Sequence, residues 1–319
     1  MALTIVRYRL GDEISWGLVR NGAVIPIVGS FKTTGDFLRA VPRAALRQLE
    51  GESLPLASIK LLSPVTNNQQ FVCQGANYRQ HMIDSGMDPD VKKYNMIFTK
   101  APSCIVAADA DVVRPDRVRL LDYEVELGLI LGRDITGPVT VTDQNLLDFI
   151  AGAVVVNDYS ARDIQIPEMQ FYKGKSFRTF GPVGPYLCLF EPEDGPALYE
   201  LELSLTVNGQ MRQKDSTRNM VFRPPETLRE LSAVQDFAVG DLLATGTPAG
   251  CALSIPGPLV QRIAGLMPER LKWALFAKGQ ARRSQYLQPG DVVEARIRSA
   301  DGRIDLGVQR NRIVAETAV

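Results

Sequence analysis

The chain has 319 residues, 45% of them hydrophobic and 23% charged, and its 36 basic and 36 acidic side chains cancel at neutral pH. That composition is the one of an ordinary globular protein with a sizeable core, and it excludes a mainly disordered chain. The charge balance gives no ground for nucleic acid or an anionic membrane as the main partner, so substrate charge has to be read locally.

Taken in order, residues 3–8, 13–20 and 23–27 read as short strands, the last two joined by Asn21-Gly22, a hairpin signal. Helical patterns follow near 34–50, and the loop-like Gly51 to Pro55 and Ser63-Pro64 close a small α+β N-terminal domain at residues 1–65. The body, residues 66–319, opens with a strand at 70–73, a turn at Gly75-Ala76, a helix over 78–85 and a strand at 96–99. Thr142 reads as the N-cap of a helix running to about 151. A β-branched run at 153–156 then ends at Asn157-Asp158. Strands near 185–190, 199–207, 241–245, 291–298 and 303–314, a helix near 226–236 and turns at Asn208-Gly209 and Asp301-Gly302 complete a β-rich α/β body. Residues 251–286, rich in Leu, Arg, Lys and Ala, suggest an inserted pair of helices broken at Pro268.

The N-terminus lacks the succession of a secretory signal, and no apolar run reaches membrane-spanning length. Cys73, Cys104, Cys188 and Cys251 are scattered, with no Cys-x-x-Cys pair, so the expected setting is the cytoplasm with free thiols. With His81 as the single histidine, a His/Cys zinc site is nearly excluded.

Chemistry concentrates between Asp122 and Thr179. On a strand Glu124 and Glu126 face the same side, with Cα atoms about 7 Å apart, close enough to repel unless a cation or proton intervenes. Asp158, at the end of a buried strand, is a third candidate ligand, and three carboxylates suit a hard octahedral ion such as magnesium or manganese. The same Glu-x-Glu pattern also describes a solvated strand face. Arg162 and Gln165 share a helical face if a helix begins there; Arg162 suits a substrate carboxylate or a plain ion pair. Lys175 could stabilise an enolate or sit at the surface, and Thr179 could bind a metal-held water or cap a turn. His81 and Asp84 are neighbours on a helix, able to form a base whose carboxylate orients the imidazole. The loop Thr245-Gly246-Thr247-Pro248-Ala249-Gly250 could bring backbone amides close to a carboxylate; it lacks a P-loop ending.

Together these pieces resemble the fumarylacetoacetate hydrolase family, in particular its acylpyruvate hydrolase and 2-hydroxyhepta-2,4-diene-1,7-dioate isomerase-like members. The matching segments, in the family's order, are Gly75-Ala76-Asn77-Tyr78 with His81, Asp122 to Gly128, Asn157 to Asp163, Gly174-Lys175-Ser176-Phe177, Thr245 to Gly250, and Leu287 to Asp291, spanning roughly 70–314. The resemblance implies a mixed β-roll body, a small N-terminal domain and a homodimer. It also implies magnesium or manganese, with calcium an option, at Glu124, Glu126 and Asp158. By the same carry-over His81 with Asp84 looks like a water-activating dyad, although relatives carry Glu where Asp84 stands. Lys175 and Thr179 match positions near metal and enolate, and Arg162, Gln165, Gly246 and Thr247 match the substrate side. The implied activity is hydrolysis of a carbon-carbon bond in a 2,4-dioxo acid or 1,3-diketone. Decarboxylation of oxaloacetate and isomerisation or hydration of unsaturated keto acids are rivals at the same site, and a non-catalytic ligand-binding protein ranks last. The departure from the family is the insertion after Gly250. Its charges are Arg262, Arg270, Lys272, Lys278, Arg282 and Arg283 against Glu269, and its apolar Leu259, Ile263, Leu266, Leu271, Trp273 and Phe276 hint at a larger or more hydrophobic substrate. It could serve as a lid, a dimer contact or plain packing.

Overall fold

The computed structural model describes residues 2–255 and 257–317. Its centre is the antiparallel pair Val125–Leu131 and Ile150–Asn157, buried along its whole length. Val125, Leu127 and Leu129 enter one core cluster and Ile130, Val154 and Val156 another, so both faces of these strands are covered. That is why they read as continuous apolar runs rather than as an alternation.

An eleven-stranded sheet grows from this pair. On one side Leu187–Leu189 links Ile150–Asn157 to Leu3–Leu10, and through it to the N-terminal strands Glu13–Arg20 and Ala23–Ile27. The N-terminal strands therefore extend the same sheet as the body. On the other side lie Leu242–Ala244, Phe71–Gly75 and Met96–Lys100, the first two paired in parallel. A five-stranded sheet of Gln210–Ser216, Glu202–Val207, Val292–Arg298, Asp305–Ala315 and Val112–Arg114 packs across the central pair. Leu203, Leu205, Val293, Ala295 and Ile297 fill the space between the sheets. The opposite face is covered by the N-terminal module, where Trp16 stacks on Phe37 with ring centroids 4.4 Å apart. Phe37 belongs to the helix Thr34–Ala40, whose start is fixed by a reciprocal capping box between Thr33 and Asp36.

Strands at Glu13–Arg20 and Ala23–Ile27 form as expected, with Asn21 at φ 52 and Gly22 at φ 76 supplying the left-handed turn. One expectation is corrected: Thr142 caps no helix. Its backbone N–H donates to Asn145 Oδ1, a short 3₁₀ turn spans Leu146–Asp148, and the strand has begun by Ile150. The apolar Phe149-Ile150-Ala151 run is drawn into the central sheet, where tertiary burial overrides the local helical pattern. The polar Gln210–Ser216 strand, unmarked in sequence, follows the Asn208-Gly209 turn directly.

Gly152 lets the Leu187–Leu189 strand approach the central pair. A Cβ there would lie 2.1 Å from the carbonyl oxygen of Cys188, a backbone atom with no room to yield. Gly152→Ala is expected to cost about 3 kcal/mol, read as a lowered urea midpoint at unchanged slope.

The inserted segment forms helices Pro258–Gly265 and Glu269–Gln280, with Pro268 between them. Gln280 Nε2 donates to the Ser254 carbonyl at 2.7 Å and Arg283 Nε to the Ala252 carbonyl at 2.8 Å, which ties the helix pair to its root. Phe276 packs on the main core, while Leu266 and Leu271 are exposed. The side chains of Leu259 and Ile263 lie outside the described residues. All four cysteines are free and buried. Among the described residues no helix is long and apolar enough to cross a membrane.

Candidate active site

The central pair sets the acidic residues side by side. Val125 stands opposite Asn157, so Glu124 and Asp158, one residue beyond on each strand, are neighbours. Their backbones are locked by Asp158 N–H donating to the Glu124 carbonyl at 2.8 Å and Glu124 N–H to Asn157 Oδ1 at 3.0 Å. Glu126 lies two residues along the same edge. The three side chains are buried, and each offers a carboxylate oxygen within 4.8 Å of the other two.

Cations from three other elements surround them. Lys175, at the end of the helix Phe171–Lys175, donates to Glu124 Oε2 at 2.7 Å, Asp158 Oδ2 at 2.6 Å and Ser160 Oγ at 2.9 Å. Lys100, at the end of Met96–Lys100, donates to Asp158 Oδ1 at 2.5 Å and to the Phe180 carbonyl at 2.7 Å. Arg162 spreads its guanidinium over three acceptors: Nε to Asp122 Oδ2 at 2.8 Å, Nη1 to Gln165 Oε1 at 2.8 Å, and Nη2 to Glu124 Oε1.

Burial alone would raise the Glu124 carboxyl, but Arg162 and Lys175 outweigh it and hold the group well below its ordinary value. Glu126 moves the other way. Burial, then the charges of Asp158 and Glu124, push it well above the carboxylate range, and its hydrogen bond comes from the neutral Gly246 N–H at 2.9 Å. Burial disfavours the charged form of Lys175, yet Asp158 and Glu124 lift it above the usual lysine value. The geometry thus leaves one buried carboxylate, Glu126, with like charges beside it and no cationic side chain bonded to it among the described residues. A divalent ion among the three oxygens fits that deficit.

Glu124, Glu126, Arg162 and Lys175 form the floor of a cleft of about 270 Å³, and Asp158, Lys100 and Asp122 are not among the residues lining it. His81, from the helix Arg79–Asp84, lines it, with its imidazole free of hydrogen bonds among the described residues. Burial lowers His81 below its ordinary value, and the attraction of Glu124 only partly opposes this. Gln165 and Thr247 also line the cleft.

Several expected roles are corrected. Asp84 does not orient His81: it is exposed and accepts from Gln80 Nε2 at 2.8 Å, one helical turn away. Arg162 lines the cleft and spends three of its five N–H donors on Asp122, Gln165 and Glu124. The Gly246 amide does approach a carboxylate closely, but it is that of Glu126; its φ of +87 and the Asn77 side chain, 2.7 Å from where a Cβ would stand, require glycine. Thr247 Oγ1 donates to the Val125 carbonyl and accepts from Gln213 Nε2, both at 2.9 Å. Thr179 Oγ1 accepts from the Val113 N–H at 2.9 Å and is not among the residues lining the cleft.

Sequence reasoning missed Lys100, which reads as a solvated strand end, and Asp122. The latter had a signal, since the alternation that pairs Glu124 with Glu126 reaches back to it. Asp122 also accepts from the Ala252 and Leu253 N–H groups at 2.7 and 3.0 Å, anchoring the root of the insertion to the site.

Comparison with known proteins follows this geometry. Residues 70–314 match the model of the fumarylacetoacetate (FAA) hydrolase C-terminal domain, and residues 4–64 match that of the Rv2993c-like N-terminal domain. Oxaloacetate tautomerase YisK of Bacillus subtilis is 35% identical over 210 residues, covering 64% of this chain and 66% of that protein. The fumarylacetoacetate hydrolase of psychrophilic Exiguobacterium antarcticum superposes with a TM-score of 0.70 at 27% identity, covering 98% of this chain and 100% of that one. Maleylpyruvate hydrolase from Sphingobium sp. SYK-6, in complex with manganese(II) and pyruvate, shares the fold, with a TM-score of 0.69 at 23% identity over 99% of this chain and 100% of that one. A strand-rich body that carries three converging carboxylates, and that matches the family model across nearly its whole length, places this chain in the fumarylacetoacetate hydrolase family.

Proposed function

We propose that the protein is a metal-dependent enzyme that generates the enolate of a small 2-oxo acid, and that its overall reaction is hydrolysis of a carbon-carbon bond in a 2,4-dioxo acid. The observation that carries this reading is the trio Glu124, Glu126 and Asp158, buried, mutually close and short of positive charge at Glu126. Magnesium or manganese would be held there, with calcium an option; the manganese and pyruvate bound by the Sphingobium relative support the same reading. When bound, the ion supplies Lewis acidity and compensates charge developing on the substrate's oxygens.

The chain's own groups divide the remaining work. Lys175 stays protonated and sets a fixed positive charge beside the place where the departing carbanion becomes an enolate. Gln165 has an amide Nε2 with no partner among the described residues, a donor open to a substrate oxygen. His81 is held neutral at pH 7 and can take a proton from water for attack on the distal carbonyl. Phe98 and Phe171 line the same cleft. With manganese present, a 2,4-dioxo acid should lose its diketone absorbance and yield pyruvate mole for mole, and exhaustive chelation should abolish both. Undiminished turnover after chelation would remove the metal from the account.

A second reading, keto-enol tautomerisation of an oxaloacetate-like acid, is favoured by the separation of Asp84 from His81, because enolisation needs no activated water. The Bacillus subtilis relative points the same way. Decay of enolic oxaloacetate, without release of carbon dioxide or pyruvate, would identify it.

A further inference from the structure

We infer that a second cavity beside the catalytic cleft is the subsite for the far arm of the substrate, with Met96 as a movable partition between the two; this rests on the hydrolytic reading above and says where the acyl arm lies. The second cavity has a volume of about 430 Å³, against about 270 Å³ for the cleft over Glu124 and Glu126. The cleft alone falls just short of the roughly 300–1,000 Å³ of small-molecule sites, and the two joined fall within that range.

The two spaces meet along two stretches of chain. Phe98 lines the cleft, Met96 lines both spaces, and Lys93 and Tyr94 line the second alone. Earlier in the chain His81 and Ser85 line the cleft, Met87 lines both, and Asp88 and Val91 line the second alone. The boundary therefore runs through Met87 and Met96, over Gly75 and Ala76, which also belong to both. Gly75 and Met96 are direct partners in the antiparallel pair Phe71–Gly75 and Met96–Lys100. The methionine lies across the glycine, since a Cβ on Gly75 would stand 2.6 Å from Met96 Sδ and 3.1 Å from its Cγ. Its backbone is pinned from the residue before it: Asn95 is buried, accepts from Gln74 Nε2 at 3.0 Å and donates through Nδ2 to Thr227 Oγ1 at 3.1 Å. The side chain carries no such tie, and an unbranched thioether with three rotatable bonds can turn aside. Past it, Met82 and Phe222 belong to a small apolar cluster on which Met87 packs. These two are buried while Asp88 and Lys93 are exposed, so the apolar part of the cavity is the deeper one. An alkyl arm laid against it is removed from water.

The test uses the full chain loaded with manganese and compares kcat/KM for 2,4-dioxodecanoate with that for 2,4-dioxopentanoate. The parent should consume both, with the longer acid ahead by at least about tenfold. Val91→Trp, which adds bulk to the second cavity from a half-exposed position, should lower that ratio at least about tenfold. Met96→Ala, which removes the partition, should raise it about threefold or more; Met87→Ala takes its place if that variant fails to fold. Equal slowing of both acids by Val91→Trp, as a passage for water or product would give, leaves the ratio unchanged and overturns the inference. A parent that consumes 2,4-dioxopentanoate but not the longer acid overturns it too, and in either case the hydrolytic reading stands. If the manganese-loaded parent consumes neither acid, that reading falls and the inference falls with it.

Discussion

Lys175→Met is expected to lower kcat by roughly 10²- to 10³-fold, the usual loss when one group stabilising a developing oxyanion is removed, while divalent-ion affinity stays the same or tightens. The two effects separate because of where the ammonium sits. It bonds Glu124 Oε2 and Asp158 Oδ2, two of the three candidate ligands, so its positive charge both serves the enolate and opposes a second cation on the same oxygens. Methionine keeps the length of the side chain and removes the charge. Without metal the variant should melt below the parent, because Glu124, Asp158 and Ser160 each lose a buried partner. Added manganese should recover much of that difference, since binding to the folded state alone adds stability by mass action. Turnover at saturating manganese, manganese affinity by calorimetry and melting with and without the ion check the three parts. A variant that loses metal affinity in step with kcat would make Lys175 a support for the carboxylates rather than for the enolate.

What could be read from the sequence follows from what leaves a periodic trace. Glu124 and Glu126 were visible because period-two alternation puts both on one face, and Asp158 because a β-branched run ends in front of it. The hairpins at Asn21-Gly22 and Asn208-Gly209 announced themselves through residues that tolerate positive φ. Gln210–Ser216 did not, since its strand is polar along most of its length and owes its conformation to Glu202–Val207 beside it. Lys100 left no trace because its role exists only once Asp158, 58 residues further on, has folded against it. Helical spacing named His81 and Asp84 as possible partners, but it allowed Gln80 an equal claim on that carboxylate, and Gln80 takes it. The engagement of Arg162 by Asp122, Glu124 and Gln165 leaves no trace in the sequence because it depends on the folded neighbourhood.

Under the hydrolytic reading His81→Ala should reduce kcat/KM about a hundredfold, within the range for loss of a general base, whereas Asp84→Asn should stay within about twofold, the scale of a surface substitution. The contrast rests on the Asp84 carboxylate, which is exposed and bound to Gln80 and so offers nothing to the imidazole. The pH profile adds an independent check. A base must be neutral to accept a proton, and burial lowers His81 from its ordinary 6.5, so kcat/KM should be flat around pH 7 to 8 and fall on the acid side with a midpoint below 6.5. Protonation is the inactivating event, so the loss must grow as pH falls, and His81→Ala should erase that limb along with most of the rate. A dyad would behave otherwise, since a carboxylate hydrogen-bonded to the ring raises the imidazole, and Asp84→Asn would then shift the limb downward and slow the enzyme severalfold. Decarboxylation, which needs neither nucleophilic water nor a base for a C–H proton, would leave His81→Ala close to full activity on oxaloacetate. The two substitutions measured on both substrates therefore separate water attack from decarboxylation.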